Sequence, residues 1–197
     1  MNFNEFLQIG IGLLLGIGLS AAAGFRVFMP FLCLSAASYF GVWQVPVGMQ
    51  WAGTLPALIL FGTATMVEIA AYYIPWVDNI LDTISTPVAV IAGSVLTASA
   101  LSHEVSPMVQ WSAGIIAGGA TAGIVSSGTA ITRVASSVTT GGIANPLLST
   151  SEIGGSVLLS IFAMMLPILT GCLVLVLLFF TIRFLWKKVR TDKHSTI

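Results

Sequence analysis

Charge is what this sequence has least of. Of 197 residues, seven are Lys or Arg and seven Asp or Glu, 7% of the chain, against 56% hydrophobic residues and a mean hydropathy of +1.00. A soluble domain carries about 25% charged residues, so a surface that faces water all round is excluded. The length suits a single all-α, polytopic membrane domain over 1–197, not a receptor with appended modules. Cysteine is also scarce. Cys33 and Cys172 both fall within apolar runs, with neither a zinc-binding spacing nor a disulfide framework, and each reads as a small buried hydrophobe. Met1 to Phe6 contains no Lys or Arg, and hydrophobicity continues to Phe40. A cleaved signal peptide ending at Ala21-Ala22-Ala23 is therefore not expected, and the segment reads as a retained span. No cofactor is expected.

The few charges are unevenly placed. Arg183, Lys187, Lys188, Arg190 and Lys193 crowd the C-terminal end. Cytoplasmic flanks of membrane spans carry the excess of Lys and Arg, which places this end in the cytoplasm. The cluster directly abuts an apolar span, so it reads as a partner of the lipid bilayer and not of nucleic acid.

A hydrocarbon core about 30 Å thick takes about 20 apolar residues per helix. Residues 6–42 are too long for one span, and a break is predicted near Gly24 to Pro30, leaving a first helix over 6–27 and a short or re-entrant one over 29–42. Further spans are predicted over 52–74, 78–101 (with Pro87 in or near its first turn), 108–134 and 153–186, the last tilted or kinked at Pro167. The stretch 135–151 is uncharged and rich in Ser, Thr and Gly, and His103-Glu104 reads as a solvated pair in a turn. The expected fold is five full transmembrane helices plus one short helix.

One pattern recurs. Gly12, Gly16 and Ser20 lead to Arg26-Val27, and 107 residues later Gly119, Gly123 and Ser127 lead to Arg133-Val134; Ile17 and Ala23 also fall on Ile124 and Ala130 at this offset. Seven identities in sixteen positions point to an internal duplication, with units at about 6–74 and 108–186 joined by the helix 78–101. On a helix, Gly12, Gly16, Ser20, Ala23, Arg26 and Val27 fall within an arc of about 120°. Small residues every fourth position let helix backbones approach closely in lipid. The arginine ending each ladder then points into the protein, where a charge at membrane depth is costly and usually functional.

Carboxylates are the natural counterparts of these arginines. Glu68 lies within an apolar span and is expected to meet Arg26 or Arg133, whether as a structural ion pair or as part of a polar midplane cavity. Asp78 and Asp82 are four residues apart on one helix face near its N-terminus, where carboxylates are favoured.

At these residues the chain resembles a bacterial integral-membrane family of unknown function. The resemblance rests on Ser20-Ala-Ala-Ala-Gly-Phe-Arg-Val-Phe-Met-Pro30, on Val67-Glu68-Ile69 and on Ile74-Pro-Trp-Val-Asp-Asn-Ile-Leu-Asp82. It implies the bacterial inner membrane as location. Thr86 stands where the family often has a basic residue before the proline at 87. The resemblance implies the fold and the motif positions, and no chemistry.

Three readings of function follow. The first is a small transporter or channel-like protein for an anionic solute or lipid headgroup, with Arg26, Arg133, Glu68, Asp78 and Asp82 lining its site at the repeat interface. The second is a membrane assembly or scaffold protein without a solute. The third is a membrane-embedded transferase in which Asp78 and Asp82 hold Mg²⁺; it lacks a second acidic motif. Exposed glycine ladders also make a homo-oligomer an expectation.

Overall fold

The computed structural model describes residues 2–101 and 105–194, apart from the side chains of Pro75, Trp76, Asp78, Asn79, Asp82, Leu185 and 188–194. His103 and Glu104 lie outside the described residues. The architecture is all-helical: α1 (Phe3–Phe25), α2 (Met29–Tyr39), α3 (Leu55–Tyr72), α4 (Pro75–Ala100), α5 (Pro107–Thr140), α6 (Asn145–Met165) and α7 (Pro167–His194), with a 3-10 stretch, Val47–Gly53, ahead of α3. All but α2 include at least 18 residues apolar enough to cross a membrane, and α2, with 11, is the expected short helix.

Proline marks the helix starts. Pro30, Pro56, Pro75, Pro107, Pro146 and Pro167 each occupy the first or second position of a helix, where the missing N–H has no partner to lose. Thr54 and Ser106 cap α3 and α5 by accepting from the N–H groups of Ala57 and Val109. Pro87 is different. Because α4 begins at Pro75, this proline sits inside the helix and not in its first turn.

Two further boundaries depart from expectation. The span expected over 108–134 is longer: α5 continues to Thr140, and Gly141 and Gly142 turn the chain at φ 64° and 85°, left-handed backbone that glycine adopts without a Cβ clash. The apolar run 153–186 is two helices, because Leu166 (φ −136°, ψ 61°) leaves the helical conformation ahead of Pro167. Cys172 also departs from expectation: it is exposed on the outer surface of α7, whereas Cys33 is half-buried.

Helix α1 forms the centre of the bundle and touches α4, α5, α6 and α7, which is why Leu15 to Gly24 are buried on all sides. Its ladder faces α4. Gly12 lies against the Ala100 carbonyl, a Cβ at Gly16 would come within 2.6 Å of Thr97 Cα, and Ser20 Oγ donates to Gly93 O (2.8 Å) and meets Thr97 Oγ1 (2.9 Å). Falling numbers on α4 against rising numbers on α1 make this pair antiparallel. Helix α5 packs on α4 in the same sense: Gly114 against Ser94 and Ala98, Gly118 against Gly93 and Thr97, Gly123 against Val90, and Thr86 Oγ1 3.1 Å from Ser126 Oγ. The two ladders therefore run parallel.

The second ladder is shifted, however. Residues Gly114–Gly119 form a π-helical turn, which inserts a residue into the helical register. Past that turn Gly119 and Gly123 still face α4, and Ser126 is buried in place of the expected Ser127, which is exposed.

Contacts along α1 give the direction of the last two helices. Arg26, Ala22 and Gly18 meet Ser149, Ser156 and Ala163 of α6, so α6 descends steeply across α1. Leu14 meets Gly171, and Ile17 and Ala21 meet Val174, so α7 rises again. Helices α1 and α7 thus run the same way, and the chain's two ends lie at opposite ends of the bundle. The extra break at Leu166 produces this arrangement, which a single terminal span would reverse. Reporters fused to the two ends should accordingly read out on opposite sides of the membrane; readout on the same side would refute the α6–α7 hairpin.

Candidate functional site

Helix α1 ends at Arg26, whose backbone is extended (φ −145°, ψ 118°). The break before α2 leaves the N–H groups of Val27 and Phe28 without helical partners. Glu68 accepts both, at 2.8 and 3.1 Å. The carboxylate expected to pair with an arginine is thus committed to backbone donors and holds the α1–α2 break closed against α3.

The arginines meet a different carboxylate. Glu152, one turn into α6 beyond Ser149, lies between Arg26 and Arg133. Arg133 grips it in bidentate fashion, with Nε 3.1 Å from Oε1 and Nη2 close against Oε2. Arg26 Nη2 lies 3.2 Å from the same Oε2. Ser149 completes the cradle: its carbonyl accepts from Arg26 Nη2 and its hydroxyl from Arg133 Nη2, each at 3.3 Å. The Tyr72 ring, on the last residue of α3, packs against both guanidiniums, with their central carbons 3.8 Å (Arg26) and 4.2 Å (Arg133) from its centroid. All three charged groups are buried: Arg26 is 1% exposed, Arg133 2% and Glu152 7%. Nε and Nη1 of Arg26 have no hydrogen-bond partner.

Beside this cluster lies a small polar cavity bounded by Glu68, Tyr72, Ser85, Ser126, Arg133 and Glu152. At about 10 Å³ it has room for about one water molecule. Two lipid-facing grooves approach it. One, of about 470 Å³, runs between α3 and α4 and shares Glu68, Tyr72 and Ser85 with the cavity. The other, of about 660 Å³, is bounded by α5, α6 and α7 and shares Thr129 and Glu152 with it.

The structure brings together Arg26 and Arg133, with Glu68 across the cavity from them. It does not put them at mid-height. The cluster sits where α1 and α3 end and α6 begins, and α5 runs only seven residues past Arg133. Asp78 and Asp82 belong to the first turns of α4, but their side chains lie outside the described residues. Among the described residues no three His, Cys, Asp or Glu side chains converge to hold a metal ion. Sequence reasoning missed Glu152 and Tyr72. The former was readable in principle, as a lone carboxylate beginning an apolar run just after an uncharged stretch. The latter, an aromatic at a helix end, carries no sequence mark that separates it from an interface residue.

The chain belongs to a family described as a domain of unknown function (DUF4126), whose match covers residues 13–187. No curated protein and no solved structure matches it.

Sharing one carboxylate between two arginines makes the cluster unequal in its parts. Glu152→Ala takes a carboxylate from both buried guanidiniums, whereas Arg133→Ala leaves Glu152 paired with Arg26. Breaking a buried pair costs about 3–5 kcal/mol, so Glu152→Ala should lose about that much in unfolding measurements in detergent, and Arg133→Ala distinctly less. Equal losses would refute the shared role.

Proposed function

We propose that this protein is a small membrane transporter or channel-like protein that binds an anionic solute or lipid headgroup at the Arg26–Arg133 pair. One observation carries the reading: Arg26, which meets Glu152 alongside Arg133, keeps two buried donors, Nε and Nη1, without a hydrogen-bond partner. Glu68 borders the same cavity, and its two oxygens accept from the backbone N–H groups of Val27 and Phe28. An anion with several acceptor oxygens would supply the missing partner, and a planar guanidinium suits carboxylate and phosphate. The water-sized cavity beside the pair, with open grooves on two sides, gives a route to it.

Ile17 and Ala21 of α1 pack with Val174 in the first third of α7, and α7 then carries its basic C-terminal residues toward the end of the bundle that holds the arginines. We read that end as the cytoplasmic one, in a bacterial inner membrane. The parallel run of the two ladders against α4 supports the duplication of 6–74 in 108–186. A second reading, an assembly protein without a solute, is favoured by Glu152, which already bridges both arginines.

Liposomes containing the purified protein decide between them. Labelled phosphate should cross them, and Arg26→Lys or Arg133→Lys should reduce flux by about 10–100-fold while melting stays close to wild type, since lysine keeps the charge and loses the planar fork. Flux that survives both substitutions would assign the pair to structure alone.

A further inference from the structure

The groove between α3 and α4 is apolar along its walls and acidic at one point. Leu60, Ala64 and Val67 of α3 face Leu81, Ile84 and Val88 of α4 across it. Its volume, about 470 Å³, lies within the range of small-molecule sites. Glu68 is the one charged side chain among its described lining residues. This carboxylate precedes the end of α3, at Tyr72, by one turn of helix, so it lies about 6 Å below that end. From Glu68 down to Leu60 the wall runs on for about 12 Å. The whole groove therefore fits within about one leaflet of a roughly 30 Å hydrocarbon core.

Hydrogen bonding along the groove runs in one sense. Thr63 spends its hydroxyl proton on the carbonyls of Ile59 and Leu60, both at 2.9 Å, and keeps acceptor capacity. Each oxygen of Glu68 takes one N–H, from Val27 or from Phe28. A carboxylate has about four lone-pair sites, so each oxygen can accept once more. A ligand here has to bring a donor. A phosphate would set its charge against Glu68, with no cation among the described lining residues. An ammonium is not needed to balance that carboxylate, because Arg133 borders the water-sized cavity on its other side. The ligand that meets neither obstacle is uncharged, apolar over most of its length and hydroxyl-bearing at one end.

We propose that the α3–α4 groove binds an uncharged lipid alcohol of the diacylglycerol kind. Its free hydroxyl donates to Glu68, and one acyl chain lies between α3 and α4 toward Leu60 and Val88. The depth of Glu68 suits this ligand, since a lone hydroxyl sits close below the headgroup region and its chain points to the bilayer centre. The site is distinct from the arginine pair and does not depend on anion transport.

The test uses the full chain in phosphatidylcholine nanodiscs holding equal amounts of dioleoylglycerol and its 3-O-methyl ether. The ether keeps both chains and lacks only the donor. After release in mild detergent, native mass spectrometry weighs what each protein retains. Wild type should retain the alcohol about tenfold over the ether. Ala64→Leu and Ala71→Leu fill the groove on either side of Glu68 and should both lose that preference with melting unchanged. Gly155→Leu, in the groove of α5, α6 and α7, has free space around it and should keep the preference. Equal retention of alcohol and ether by wild type overturns the proposal. So does a preference that survives both alanine substitutions or disappears with Gly155→Leu.

Discussion

One carboxylate, Glu152, ties the upper end of this bundle together. Through Arg26 it holds the end of α1, through Arg133 the last turns of α5, and through its own backbone the start of α6; the Tyr72 ring beneath both guanidiniums adds the end of α3. Four helix ends thus meet at one ionic contact. In a protein whose surroundings are as apolar as its core, burial of hydrocarbon does little to choose one helix arrangement over another. A buried ionic contact has far fewer satisfactory geometries, because a charge left unpaired there is costly. The cluster thereby restricts which helix ends can come together.

The remainder of the bundle is held by contact between backbones. Gly12, Gly16 and Ser20 of α1 and Gly114 and Gly118 of α5 lie directly on α4, where Gly93 and Thr97 receive both helices. Ser20, Thr97, Ser94 and Ser156 add hydroxyl hydrogen bonds to carbonyls or to one another, a bond type that has little competition from water in lipid. Glycine plays the opposite part at 128 and 155. No neighbour closes over these positions, and their missing side chains leave a groove. Residue type alone does not separate a glycine that admits a helix from one that leaves space. The identity of the facing element does.

Much of this is legible in the chain. Its scarcity of charge shows that the surface faces lipid, and its prolines mark nearly every helix start. The ladder phase turns both arginines inward, and the break before Pro30 falls between Phe25 and Met29 as the sequence predicts. Differences arise where a local signal has two meanings. The predicted span ends at 134, ahead of the Ser, Thr and Gly of 135–151, yet in lipid their hydroxyls bond to the preceding turn, as those of Thr139 and Thr140 do, and helix continues to Thr140. Pro167 read as a kink, but a proline at the first position of a new helix looks the same in sequence. The π-helical turn at Gly114–Gly119 has no mark in the sequence, nor has the burial of Ser126 in place of Ser127.

The sequence by itself determined the class of molecule, the helical elements, and the fact that two arginines must find partners inside an apolar bundle. Those are consequences of composition and of periodicity within single helices. Only the tertiary structure decided which carboxylate answers them. Glu68 and Glu152 are both lone acids in apolar runs, and their separation along the chain does not distinguish them. The distinction comes from the α1–α2 break, whose two free N–H groups occupy Glu68, and from the steep crossing of α6 over α1, which delivers Glu152 between the guanidiniums. Pairing among residues 19 to 126 positions apart depends on helix directions and crossing angles, and these are set by how whole helices pack.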